Sequence, residues 1–158
     1  MIGCSFDSGV DMSKGQQRFL FDDADLTTPQ HDQIMLWFDA NARRLLAPWI
    51  PVERAADPTF RLVTEWEVPV MNRNNGYVHG FLDMRVEVWV ADDGDGYWNR
   101  FHIEVKSTIP SLGELVRQLK LYQQYLGPQP GQFIIVSPDV RYAAKLRELG
   151  FGFIEYVP

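Results

Sequence analysis

Three residues of this chain have the types and the spacing to do chemistry together: Asp83, Glu104 and Lys106. Two carboxylates can hold a hard divalent cation, and an ammonium beside them can meet the negative charge of a reacting phosphate. Glu104 and Lys106 stand two apart in the run Phe101-His-Ile-Glu-Val-Lys-Ser107. In an extended strand they share one face, while Val105 turns into the packing on the other. If the strand that carries Gly80-Phe-Leu-Asp83 pairs with this one, the second acid arrives at the same spot. Such a cluster suits metal-assisted hydrolysis of a phosphodiester.

The elements that must position these residues can be read along the chain. Residues 1–28 are polar, with scattered aspartates around Phe19-Leu-Phe21, and read as an N-terminal extension. A helix is expected from Pro29 to Ala47, with Thr28 as N-cap, Pro29 at the first helical position and Ile34, Trp37, Phe38, Asn41 and Leu45 on its packed face. Three runs rich in Val, Trp, Tyr and Phe, at Phe60–Val70, Tyr77–Val90 and Tyr97–Lys106, have strand character. The turn-forming segments Asn72–Gly76 and Asp92–Gly96 between them predict an antiparallel meander. Ser111 and Glu114 have capping-box spacing ahead of a helix whose apolar stripe is Leu112, Leu115, Val116, Leu119, Tyr122 and Leu126. A strand at Gln132–Ser137, a short helix at Val140–Leu149 and a last strand at Phe151–Val157 complete an α/β order, αβββαβαβ, in residues 29–158.

Composition narrows the function. With 46% apolar residues in 158, the chain can build one real core, so a single domain is expected. Cys4 is the one cysteine and cannot form an internal disulfide, no apolar run approaches a membrane span, and Met1-Ile-Gly-Cys-Ser lacks the basic start of a secretory signal. These features point to the cytoplasm and away from a membrane. The net charge of -6 opposes simple nucleic-acid binding, which comes mainly from Lys and Arg at phosphates. Metal ions among the acids, a locally basic groove, or a partner protein or homo-oligomer would have to supply the affinity.

Gly80-x-x-Asp83, Glu104-Val105-Lys106 and Gln118-x-x-x-Tyr122, in this order on two strands and the following helix, resemble the motifs of the RecB-like branch of the PD-(D/E)XK nuclease superfamily. The likeness covers residues 29–158; Leu82 stands where many members carry proline before the acid. The resemblance implies a three-layer restriction-endonuclease-like fold, with a central mixed β-sheet flanked by helices. It implies a Mg²⁺- or Mn²⁺-dependent deoxyribonuclease, acting on DNA in preference to RNA, with Asp83, Glu104 and the Val105 carbonyl as metal ligands. Lys106 would position the attacking water, and Gln118 and Tyr122 would orient the substrate strand or the metal shell.

The same superfamily often takes a further ligand from its first helix, where His31 is the candidate; Glu65 or Glu67 could supply an acid instead. Arg117 and Lys120 are candidate phosphate contacts on the second long helix. His102 shares the strand face of Glu104, and His79 precedes the Gly-x-x-Asp run, but Lys106 already provides for the water. Asp92, Asp93 and Asp95 lack EF-hand spacing and read as a hairpin turn. The competing reading is a catalytically weak or silent nuclease-like binding or scaffold subunit. A third, a hydrolase on another acidic-metal fold, would act on small phosphate esters.

Overall fold

The computed structural model describes residues 28–50, 61–92, 95–126 and 132–158. The expected N-terminal extension, with Cys4, lies outside these residues except for Thr28, as do Asp93 and Gly94 of the acidic turn. The chain runs α1 (Pro29–Leu46), β1 (Arg61–Met71), β2 (Val78–Asp92), β3 (Asp95–Val105), α2 (Leu112–Leu126), β4 (Gln132–Ser137), α3 (Ala143–Glu148) and β5 (Gly152–Glu155), with one-turn 3₁₀ helices at Ala47–Trp49 and Val140–Tyr142. It is an α/β fold in the expected order.

The five strands lie side by side in sequence order. β1, β2 and β3 pair antiparallel, as the short polar turns demand, while β3/β4 and β4/β5 are parallel because a helix intervenes each time. The sheet is therefore mixed. Strand alternation divides its side chains between two cores. Met84, Val86, Val88, Phe101, Ile103, Val105, Ile134 and Val136 meet Ile34, Met35, Phe38, Ala42 and Leu46 of α1 on one side. Val68, Val70, Leu82, Phe133, Ile135 and Phe153 meet Leu115, Leu119 and Tyr122 of α2 and Leu146 of α3 on the other.

The packed face of α1 is rotated from the expected one. Ala42 and Leu46 are buried, whereas Asn41 and Leu45 lie at the margin. Trp37 is also marginal, its ring set edge-on to Tyr156 at 5.0 Å. Small Ala42 lets the helix approach the sheet where a larger residue would hold it away. The termini behave as read: Thr28 Oγ1 accepts from the His31 N–H at 3.2 Å, and Ser111 Oγ accepts from the Glu114 N–H at 3.4 Å.

One irregularity shapes the site. Leu62 packs on the α1 side but Val68 and Val70 on the α2 side, and Met84 faces α1 while Leu82 faces α2. Both strands thus turn over between the pairs Trp66↔Met84 and Val68↔Leu82. The row between holds Asp83 and Glu67, and Glu67 has φ +53°, a left-handed conformation that costs a non-glycine residue about 1–2 kcal/mol. This inversion aims Asp83 out of the regular ladder. It also breaks the simple alternation that would place Glu65 and Glu67 on one face.

Candidate active site

The ladder between β2 and β3 runs down to Met84↔Ile103. The next β3 donor toward β2 is the Val105 N–H, and the carboxylate of Asp83 takes it, Oδ2 lying 2.6 Å away. Asp83 therefore sits in the fork where the strands part, beside the residue that follows Glu104. Glu104 projects to the α2 side and is 2% exposed; Asp83 is 4% exposed. Lys106, just past β3, is fixed by its own N–H donating to the Val136 carbonyl at 3.0 Å, and its Nζ reaches Glu104 Oε1 at 3.1 Å. The Asp139 carboxylate, accepting from the Ile109 N–H at 2.9 Å, tethers the loop that follows.

α2 braces the acid from above. Gln118 Nε2 donates to Glu104 Oε1 at 2.9 Å and lies 3.1 Å from the Tyr122 hydroxyl, which in turn donates to the Phe81 carbonyl at 3.1 Å. One short relay thus joins β3, α2 and β2. Gly80 makes room for it, since a Cβ there would lie 2.6 Å from the Tyr122 hydroxyl oxygen. From α1, buried His31 brings Nε2 to 3.3 Å from Asp83 Oδ1, with Nδ1 3.6 Å from Asp32 Oδ1. Neither ring nitrogen makes an aligned hydrogen bond, so these contacts are chiefly electrostatic.

The electrostatics follow from burial. Loss of water is the main reason that the Glu104 carboxyl is pushed up, to about 8; the charge of Asp83 adds to it, and Lys106 and His31 offset only part. Burial works against the His31 imidazolium, but the Asp83 carboxylate outweighs it and raises the pKa above the ordinary histidine value. Glu104 Oε2 is buried with no hydrogen-bond partner. An orphaned carboxylate oxygen and an unfavourable pair of acids are what a divalent cation would relieve, so the donor set fits Mg²⁺ or Mn²⁺. Among the described residues no three His, Cys, Asp or Glu side chains close into a ready-made metal cage. The side-chain donors at this spot are the Asp83 and Glu104 carboxylates and His31, a sparse set of the kind that leaves positions for water and phosphate.

The structure thus brings together Asp83, Glu104, Lys106, Gln118, Tyr122 and His31. It places the other candidates elsewhere. Glu65 pairs with Arg85, and Glu67 is exposed. Arg117 is exposed, 3.9 Å from Glu114, and Lys120 is exposed as well. The His79 ring stacks on Tyr125 at 3.9 Å. His102 does share the face of Glu104, packs against Phe133 and is driven down to about 4, by burial first and then by Arg100 and Arg85, so it is neutral near pH 7. Sequence reasoning missed the Phe81 carbonyl, the Glu67 inversion and the arginines around His102. The alternation of Arg100, His102 and Glu104 on one strand face was the available signal for the last of these.

No family model, curated protein or solved structure matches the chain. Among the described residues no helix is long and apolar enough to cross a membrane.

Proposed function

We propose that this chain is a metal-dependent nuclease of PD-(D/E)XK type, with a restriction-endonuclease-like fold, that hydrolyses phosphodiester bonds of DNA. The observation that carries the reading is the meeting of Asp83, Glu104 and Lys106 at the fork between β2 and β3, with one Glu104 oxygen orphaned. Asp83, Glu104 and the Val105 carbonyl, with His31 alongside, would hold Mg²⁺ or Mn²⁺, which when bound supplies Lewis acidity and a more acidic water. Lys106 orients the attacking water and offsets the negative charge gathering on the phosphoryl oxygens. Water oxygen bonds to phosphorus as the bond to the leaving oxygen breaks; the attacking water gives up one proton to solvent and the departing alkoxide takes one from solvent, so the protons balance. Gln118 holds the Glu104 carboxylate, and buried Tyr122 holds Gln118; Tyr122 acts by positioning. A reducing, cytoplasmic setting accords with the single cysteine.

The second reading, a silent nuclease-like scaffold docking on a protein partner or a second copy, draws on the Lys106–Glu104 pair and on a Glu104 carboxyl that favours its proton. Plasmid nicking with and without Mn²⁺ separates the two. The nuclease reading expects Mn²⁺-dependent nicking that falls about 10²–10³-fold in Lys106→Ala, the loss typical of removing a group that stabilises transition-state charge. No nicking under any metal, or nicking that survives Lys106→Ala, rejects it.

A further inference from the structure

Beyond Glu104, the same face of β3 continues through His102 to Arg100, and beside them lies a cavity of about 220 Å³. Its lining includes Glu65, Arg73, Arg85, Arg100, His102 and Tyr125, so β1, β2, β3, the turn after β1 and the end of α2 all contribute. Three guanidinium groups gather here on a protein whose net charge is -6. Arg85 is held by Glu65, and Arg100 by Glu87, with Nε and Nη2 at 2.8 and 2.6 Å from one oxygen. Two carboxylates against three arginines leave one positive charge over, and among the described residues Arg73 meets no carboxylate. His102, 3% exposed, forms part of the wall, and its Nδ1 is buried without a hydrogen-bond partner. The surplus guanidinium charge in this cavity calls for a ligand that brings oxygen atoms and negative charge, and the N–H of a neutral imidazole in its wall suits the same oxygen-rich ligand.

The geometry points to this cavity as a second phosphate site, in which Arg73, Arg85 and Arg100 hold a phosphate of the nucleic-acid strand next to the one cleaved at Glu104. The proposal rests on the nuclease reading and adds to it a named anion-binding subsite. His102 lies about 7 Å along the strand from Glu104, at about 3.3 Å per residue. The axial rise of a nucleic-acid strand is about 3.4 Å per nucleotide, so a substrate can reach both places within a few nucleotides. Arg85 and Arg100 are already oriented by their glutamates, so a phosphate need not freeze free side chains on arrival. Two sources of that phosphate are chemically equivalent here: a terminal phosphomonoester, which would make the site an end reader, or an internal diester.

The test uses the full chain in EDTA, so that nothing is cleaved, and fluorescein-labelled DNA strands with a 5′-phosphate or a 5′-hydroxyl. Binding is followed by fluorescence anisotropy over a salt series. Arg73 is exposed and outside both cores, so Arg73→Gln folds; Arg44→Gln, on the outer side of α1, removes an equal charge elsewhere. Arg73→Gln is expected to weaken binding about tenfold, as for loss of a hydrogen bond to a charged group, and to lower the salt slope by about one, with Arg44→Gln unchanged. A loss confined to 5′-phosphorylated strands identifies an end reader; an equal loss on both identifies an internal phosphate; either supports the site. Equal affinity of wild type and Arg73→Gln overturns the subsite even if Mn²⁺-dependent nicking is intact, and so does an equal loss in Arg44→Gln. An Arg73 effect without any nicking keeps the subsite and removes the nuclease.

Discussion

Two ion-pair clusters adjoin one face of β3, one around Arg100 and the other around Glu104 four residues on, and water treats them differently. Around Arg100, the Glu87, Arg85 and Glu65 side chains are half-buried or exposed, each acid has a guanidinium, and solvent reaches the group. Around Glu104, two acids are almost wholly buried, one lysine and one histidine lie against them, and one carboxylate oxygen has no partner. Ionisable side chains therefore give a solvated network in which each acid is paired in one place, and a buried site with an orphaned acid oxygen in the other. Desolvation makes the difference: a buried acid that lacks full compensation costs far more than an exposed pair contributes.

The largest contrast should come from titration. The Glu104 carboxyl is pushed up from 4.5 to about 8 on folding, so its protonated form suits the folded state. The stability tied to that proton is complete below about pH 4.5 and is lost as pH rises through about 8. Metal-free protein should melt at progressively lower temperature across this window, and Glu104→Gln, which keeps the shape without the charge, should flatten the profile. Scanning calorimetry in EDTA reads both, and parallel profiles for the two proteins would contradict the burial argument. Because binding a cation requires the carboxylate, added Mn²⁺ should raise the melting temperature more at pH 8 than at pH 6.

A middle-sized effect should come from the brace. In Gly80→Ala the new methyl would lie 2.6 Å from the Tyr122 hydroxyl oxygen and displace the relay that holds Gln118 and Glu104. Overpacking of this kind costs about 1–3 kcal/mol, read by urea unfolding. On the nuclease reading, Mn²⁺-dependent nicking should fall along with it. The smallest effect belongs to the solvated cluster: Glu65→Gln, which removes the partner of Arg85, should change stability by less than about 1 kcal/mol. A larger loss there would erase the distinction between the two clusters.

Much of the fold was legible because local signals agreed. Thr28 and Pro29 start α1, the polar turns set the meander, and the Leu112–Leu126 stripe lies on the sheet as its spacing requires. The face of α1 was misjudged by about a quarter turn because Asn41 and Ala42 look equally plausible in a helical wheel, and only close packing prefers the smaller residue. The juxtaposition of Glu104 and Lys106 followed from strand alternation. The cavity arginines escaped notice because Arg73, Arg85 and Arg100 come from a turn and two strands, and a linear reading has no means of summing charge across a sheet.

The sequence by itself determined the element order and the candidate set Asp83, Glu104, Lys106, Gln118 and Tyr122, since periods, caps and turn residues act over a few neighbours. Only tertiary structure decided that β1 and β2 turn over at Glu67 and Asp83, that Asp83 takes the Val105 N–H, and that Glu104 loses its water. Those outcomes depend on contacts between distant segments and on solvent exclusion, which exist once the sheet and its two helical layers have closed around the residues.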